Sequence, residues 1–347
     1  MPAFPFLVKV LRYCCLACSF SNVKAFEIDK SLNEFYDNKE AAIKTYNYNR
    51  RDQIARQVDL SNFSGKKIIS DLNDRNSFDH IYGVVGGPPC QYFSMGNRSR
   101  KEEDPRRILP ITYAEILREL NDEYSIDFFI FENVFGLAKP AHKVDFKIIL
   151  SFLENATFNV FHTILDAYNF GVPQFRKRVF IVGWNKYRYS DAKYEFPEGF
   201  PSGLSVEDAI RSLEEPQYFK RNLDPESFPE HPNHWTMNPK SPKFNNLPLP
   251  SESNGSRSFR RLSWEKPSYT VAYGHNEIHV HPDGHRRLSI YEAMLLQGFP
   301  KHYELKGHLS EQVTLVSDAV PPPLASELAI SIRKFIEKYP VREHGRK

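Results

Sequence analysis

The run Asp127-Phe128-Phe129-Ile130-Phe131 constrains the fold of this chain more than any other stretch. It is apolar at consecutive positions, too short for a buried helix, and it ends on Glu132-Asn133. A strand apolar on both faces belongs inside a mainly parallel sheet whose two faces are covered by helices. Further runs of strand character are expected at 22–28, 66–72, 78–85, 159–166 and 178–184. Helical spacing is expected at 30–47, 106–121 and 143–154. Strands alternating with helices predict an α/β fold with a mainly parallel, Rossmann-like sheet.

Ligands of such sheets sit in the crevice beyond the C-terminal ends of the strands. Glu27, Asp71, Cys90 and Glu132 all fall at expected strand ends. Cys90 stands on a loop, Gly86-Gly87-Pro88-Pro89-Cys90-Gln91-Tyr92-Phe93-Ser94, that two glycines and two prolines make irregular and stiff. Each residue also has an ordinary alternative. A free cysteine is most often a small apolar filler, and a strand-end carboxylate is often a helix N-cap.

After Trp184 the pattern breaks. Ten of the 25 prolines fall within residues 197–250, among Phe, Trp and His residues that a disordered linker would lack. This predicts three parts: an α/β domain at 1–185, which the resemblance given below makes the catalytic and cofactor domain, a smaller irregular domain at 186–275, and a segment at 276–347 that returns to the first. A helix is expected from Ser205, with periodicity again at 284–299 and a closing helix at 321–338. The four cysteines, three of them at positions 14, 15 and 18, cannot form a disulfide framework, and Cys15-x-x-Cys18 has no second pair to complete a zinc site. No apolar run reaches membrane-spanning length, so no membrane association is expected. A formal charge of +3 permits nucleic-acid binding without demanding it.

Five short strings, in order, resemble the bacterial DNA (cytosine-5)-methyltransferases from about Asn22 to Phe335. They are Gly87-Pro88-Pro89-Cys90-Gln91 with Ser94, Phe131-Glu132-Asn133-Val134, Gln174-Phe175-Arg176-Lys177-Arg178, Arg286-Arg287-Leu288-Ser289 with Glu292 and Leu296-Gln297-Gly298-Phe299-Pro300, and Ala319-Val320-Pro321-Pro322. The resemblance implies transfer of a methyl group from S-adenosyl-L-methionine to C5 of a flipped cytosine in double-stranded DNA. It makes Cys90 the nucleophile at C6, Glu132 the group at N3, and Arg176 and Arg178 the catalytic arginines. It gives Glu27 the ribose, Asp71 the adenine amino group and Ile28 and Leu72 the ring faces. Pro89, Leu109 and Asp318 complete the cofactor side. Gln91, Ser94, Gln174, Arg257 and Arg260 are implied on the DNA. The region 186–275 becomes a target-recognition domain. A monomeric cytoplasmic enzyme is expected, with a cognate restriction endonuclease as a further partner. Methylation of RNA by the same chemistry is an alternative.

Two departures fall on the cofactor side. The glycine-rich turn that the family places before the Glu27 strand is missing: Arg12-Tyr13-Cys14-Cys15-Leu16-Ala17-Cys18 stands there, and no glycine precedes Gly65. Ser317-Asp318 stands where the family has Gly-Asn. Residues 1–19 are expected to reflect a frameshift or wrong start site, and cofactor binding is expected to be weak. The competing expectation is therefore a catalytically impaired DNA-binding remnant or accessory subunit.

Overall fold

The structure is a computed structural model. It describes residues 8–10, 34–50, 55–59, 64–74, 81–88, 108–220, 224, 228, 230–239, 241–250, 259–270 and 279–340. Its centre is a seven-stranded sheet. In chain order the strands are β1 Val8–Val10, β2 Glu34–Asp37, β3 Ala55–Gln57, β4 Gly83–Gly86, β5 Phe128–Val134, β6 Phe158–Asp166 and, after a two-residue strand β7 Gln174–Phe175, β8 Lys177–Asn185. The spatial order is β3-β2-β1-β4-β5-β8-β6. Strands β1 to β5 pair in parallel, and β8 runs antiparallel to both β5 and β6. The reversal follows from chain length. A parallel connection needs a dozen or more residues, and only 167–176 separate β6 from β8.

The alternation along β5 and β8 divides the core in two. Phe129, Phe131, Val179 and Ile181 face one layer, which helices α2 Gly65–Asn73, α3 Leu109–Tyr124 and α4 Lys143–Asn155 cover with Ile68, Leu72, Leu117, Leu120, Ile149 and Leu153. Phe128, Ile130, Phe180, Val182 and Trp184 face the other. There α1 Glu40–Arg50 and the C-terminal helices α6 Ile290–Leu296, α7 Leu309–Asp318 and α8 Pro322–Lys338 close the fold. The ring of Phe335 on α8 stacks on Trp184 at 3.7 Å between centroids. The closing helix thus packs on the sheet, as the sequence predicts. Each fully buried Phe of β5 contributes about 1.5–3 kcal/mol of apolar transfer.

Two expectations are corrected. Residues 66–72 form helix α2, not a strand. Ser64 caps it by accepting from Lys67 N, and Ile68 and Leu72, one turn apart, enter the core on one face. Residues 30–47 are not one helix: β2 occupies Glu34–Asp37 before α1 begins at Glu40. Phe35 and Tyr36 on β2 point to opposite core layers, the period of a doubly covered strand. The expected strand at 22–28 lies outside the described residues.

The region 186–275 holds few regular elements among its described residues. These are helix α5 Val206–Ile210, with a Ser205–Asp208 capping box, and strands β9 Gln217–Tyr218, β10 Trp235–Thr236 and β11 Ser268–Tyr269. Phe244, Leu249 and Val280, with Phe259 against them, make a small separate apolar cluster. Strand β11 pairs with β7, joining this region to the sheet-bearing part. Helix α7 is an element the sequence reading omits.

Candidate active site

Strand β5 carries Glu132 and Asn133 into the crevice beyond the sheet, and β8 pairs with it so that Glu132 faces Phe180 and Val134 faces Arg178. Glu132 is buried, and Arg178 Nε lies 3.0 Å from its Oε1. Burial raises the Glu132 pKa above the ordinary carboxylate value. The nearby Arg178 and Arg176 pull it down, and Asp318 pushes it up again. Desolvation shifts the carboxyl toward its protonated form, against the pull of the two arginines. Asn133 is wholly buried, and its Nδ2 donates to Pro88 O at 3.3 Å. The strand that positions Glu132 therefore also holds Pro88, one residue before Pro89 and two before Cys90 in the chain.

The end of β4 is built on glycine for a packing reason. The ring of Tyr113 lies against the Gly86 backbone, where a Cβ would collide with it, and Tyr113 Oη donates to Ile130 O at 3.2 Å. Cys90, Pro89, Gln91, Ser94, Glu27, Ile28 and Arg257 lie outside the described residues.

The two arginines separate in role. Arg178 faces Glu132. Arg176 is fully buried and turns to the closing segment, where its Nη2 donates to Ser317 O at 2.5 Å and Ala319 O at 2.7 Å. Gln297 Nε2 joins it there, donating to Val316 O and Ala319 O. Arg176, implied by the resemblance as a catalytic arginine, thus holds the 317–319 backbone in this structure. Two residues before Arg176, Gln174 is buried on β7 opposite Ser268 of β11. Arg260 stacks over Tyr269 at 3.3 Å from the ring centroid. Both thus stand at the joint between the sheet and the 186–275 region.

On the cofactor side the acids move. Asp71 does not end a strand. It lies on α2, and its Oδ2 accepts from Tyr36 Oη at 2.8 Å. Leu72 is a core residue of the α2 face. The acid that ends a strand is Asp37, at the tip of β2, buried and accepting at Oδ1 from Lys39 N at 2.8 Å. Asp59 follows β3 two residues beyond its end. Leu109 opens α3 and is buried. Asp318 ends α7, and its Oδ2 lies 2.9 Å from Lys39 Nζ. The charge of Asp318, which stands where the family has Asn, is thus answered by a lysine from the β2–α1 turn. The sequence reading does not single out Asp37, Lys39 or Asp59. The available signal was the pair Phe35-Tyr36 ending on Asp37, just before a helix with Glu40 in its first turn.

The bracing segment has a defined structure. Arg286 forms a two-pronged ion pair with Glu292, Nη1 to Oε2 and Nη2 to Oε1 at 2.8 Å each, and its Nε reaches Glu215 at 2.8 Å. Glu292 also completes the capping box of α6 with Ser289. One guanidinium thus links the 186–275 region to a helix of the closing segment.

The strand order, the single reversed strand and the strand-end crevice define an α/β methyltransferase of the S-adenosylmethionine-dependent class. The family profile of C-5 cytosine-specific DNA methylases matches residues 10–334, and the chain belongs to that family. It is 31% identical to the type II methyltransferase M.MthTI of Methanothermobacter thermautotrophicus, over 74% of this chain and 80% of that one. It is 29% identical to the type II methyltransferase M1.HphI of Haemophilus parahaemolyticus, over 95% and 90%. Among solved structures, a putative DNA modification methyltransferase encoded within an E. coli prophage superposes with a TM-score of 0.71 at 18% identity. That superposition covers 96% of this chain and all of the other. The methyl donor of the family is S-adenosyl-L-methionine, and its substrate is DNA. The cofactor-side residues fit such a donor. The Asp37–Lys39 turn offers a strand-end carboxylate, an ammonium and a buried acceptor, Asn38 Oδ1, that has no hydrogen-bond partner among the described residues. Among the described residues, no helix is long and apolar enough to cross a membrane.

Proposed function

We propose that this chain transfers a methyl group to C5 of a cytosine flipped out of double-stranded DNA, through a covalent bond between Cys90 and C6. The observation that carries the reading is Glu132, a buried carboxyl raised in pKa, held against Arg178 on the strand whose next residue holds Pro88, two positions before Cys90. The Cys90 thiolate adds to C6 while Glu132 gives its proton to N3, so the electron pair of the C5–C6 double bond moves onto C5 as an enamine. Arg178 holds O2 and keeps the ring in register with Glu132. Bound S-adenosyl-L-methionine supplies an electrophilic methyl group, which C5 takes up. Loss of the C5 proton to water then expels the thiolate, and N3 returns its proton to Glu132, which restores the aromatic ring and frees the enzyme. Extruding the base costs a few kcal/mol, which contacts from Gln91, Ser94, Arg257 and Arg260 offset.

On the donor side, Asp37 takes the ribose hydroxyls and Asp59 the adenine amino group, in place of Glu27 and Asp71. Lys39 and Asp318 present a paired positive and negative charge to the amino-acid end. The test is incorporation of labelled methyl groups into duplex DNA by the wild-type chain and by Cys90→Ala. Incorporation by the first and none by the second is expected, with DNA binding retained in both. Incorporation by Cys90→Ala would overturn the assignment.

A further inference from the structure

Helix α4 lies on the outer edge of the sheet and carries an apolar stripe on the side away from the core. Val144, Ile148 and Phe152 recur every fourth residue and are 69%, 39% and 38% exposed, while Ile149 and Leu153 face inward. Strand β6 beside it is the last strand of the sheet, and Ile164 on it is 43% exposed. Only residues 156 and 157 separate α4 from β6, so helix and strand run antiparallel and Ile164 lies toward the Val144 end. Scattered exposed apolar residues are ordinary, but a contiguous stripe marks a contact surface.

The charges beside the stripe say what covers it. Lys147 and Glu154 are both exposed and seven residues apart, nearly two full turns, so they stand on the same flank of α4. When two copies of a helix cross antiparallel, each flank meets the same flank of its partner. A two-fold axis near Ser151 sets Ile148 against Phe152 of the second copy, and Phe152 against its Ile148. The same operation brings Lys147 to within one residue of the opposing Glu154, twice. Ser151, the small residue at the crossing point, lets the helices approach. Its hydroxyl is already satisfied by Ile148 O at 2.8 Å, so burying it orphans nothing. The surface is complementary to itself in shape, apolarity and charge, which is what an isologous contact requires.

We infer that the chain self-associates into a two-fold dimer through antiparallel contact of α4, with Ile164 at the rim. One helix face per subunit is a small contact, so the dimer belongs to the weak end of specific interfaces. Sedimentation equilibrium of the full chain over a range of concentrations tests this. Wild type is expected to show a monomer–dimer equilibrium. Phe152→Asp is expected to abolish dimerisation. Lys147→Glu should weaken it about tenfold or more by placing like charges opposite each other. The double variant Lys147→Glu/Glu154→Lys should restore it, because the swap rebuilds both ion pairs. Circular dichroism of each variant should match wild type, since all three positions are on the surface. A wild-type chain that stays monomeric overturns the inference, as does a dimer indifferent to Phe152→Asp. A double variant no better than Lys147→Glu overturns the two-fold register. A wild-type chain that is monomeric alone but binds a different protein through this stripe assigns the surface to that partner and counts against the inference.

Discussion

The two sides of the crevice are built differently. The acceptor side rests on β5 and β8, seven and nine residues long in the middle of the sheet, paired along the whole length of β5. Glu132 and Asn133 on β5 and Arg178 on β8 are buried and held by named partners. The donor side rests on β2 and β3, four and three residues long toward one edge, and on an ion pair whose side chains are 23% and 37% exposed. The lesson is that desolvation tunes the first and compensation maintains the second. A carboxyl needed as an acid must be taken out of water, whereas a charge such as Asp318 can be tolerated if a neighbour such as Lys39 answers it.

This contrast can be broken at several points. The largest effect is expected from Glu132. Replacing it with Gln should lower methylation about 10²- to 10⁴-fold, because a hydrogen-bond donor remains but the transferable proton is lost. Cofactor affinity, read by calorimetry with S-adenosylhomocysteine, should stay within a few-fold of wild type. An equal loss of both would mean that the two sides are not separable.

The pH dependence follows from the raised Glu132 pKa. The protonated carboxyl is the working form, so its fraction falls as pH rises through that value. The rate of C5 hydrogen exchange on duplex DNA should decline on the alkaline side, and Glu132→Gln should remove that limb. An unchanged alkaline limb in the variant would assign it to another group.

Arg286 tests the brace. Replacing it with Ala leaves Glu292 buried at 1% exposure without its ion-pair partner. Removing one partner of a buried pair costs about 3–5 kcal/mol. Denaturant unfolding should show that loss, and a midpoint close to wild type would contradict the bridge.

The smallest effects belong to the donor side. Asp37→Ala and Lys39→Ala should each weaken S-adenosylhomocysteine binding while leaving DNA binding unchanged. Lys39→Ala should leave the affinity for methylthioadenosine, which lacks the amino-acid end, close to wild type. A loss for both ligands alike would make Lys39 a structural residue only.

The same contrast governs what could be read from the sequence. Phe128 to Phe131 and Val179 to Trp184 announce themselves as strands because burial on both faces leaves an unbroken apolar run. Glu132 and Arg178 were therefore legible as strand-borne residues in a crevice. The edge was less legible. Glu34–Asp37 is four residues long and precedes a helix, so its period merges with that of α1. Residues 66–72 carry Ile68, Ile69 and Leu72, which suit a short strand as well as a helix until Ser64 is recognised as a cap. That one misreading placed Asp71 at a strand end, where the structure has it on α2. The Lys39–Asp318 pair joins residues 279 positions apart, and no local pattern announces such a contact. Arg176 likewise meets Ser317 O and Ala319 O across 141 and 143 positions of sequence, a contact that only the packing of α7 and α8 creates.

The central claim is a covalent attack by Cys90 on a cytosine whose N3 is served by Glu132. Incubation of the chain with S-adenosyl-L-methionine and a duplex carrying 5-fluorocytosine tests it most directly, because a fluorine at C5 cannot leave as the proton does. The account predicts a protein–DNA adduct stable to denaturing electrophoresis, absent with Cys90→Ala and strongly reduced with Glu132→Gln. A wild-type chain that methylates unmodified duplex yet forms no adduct would contradict it.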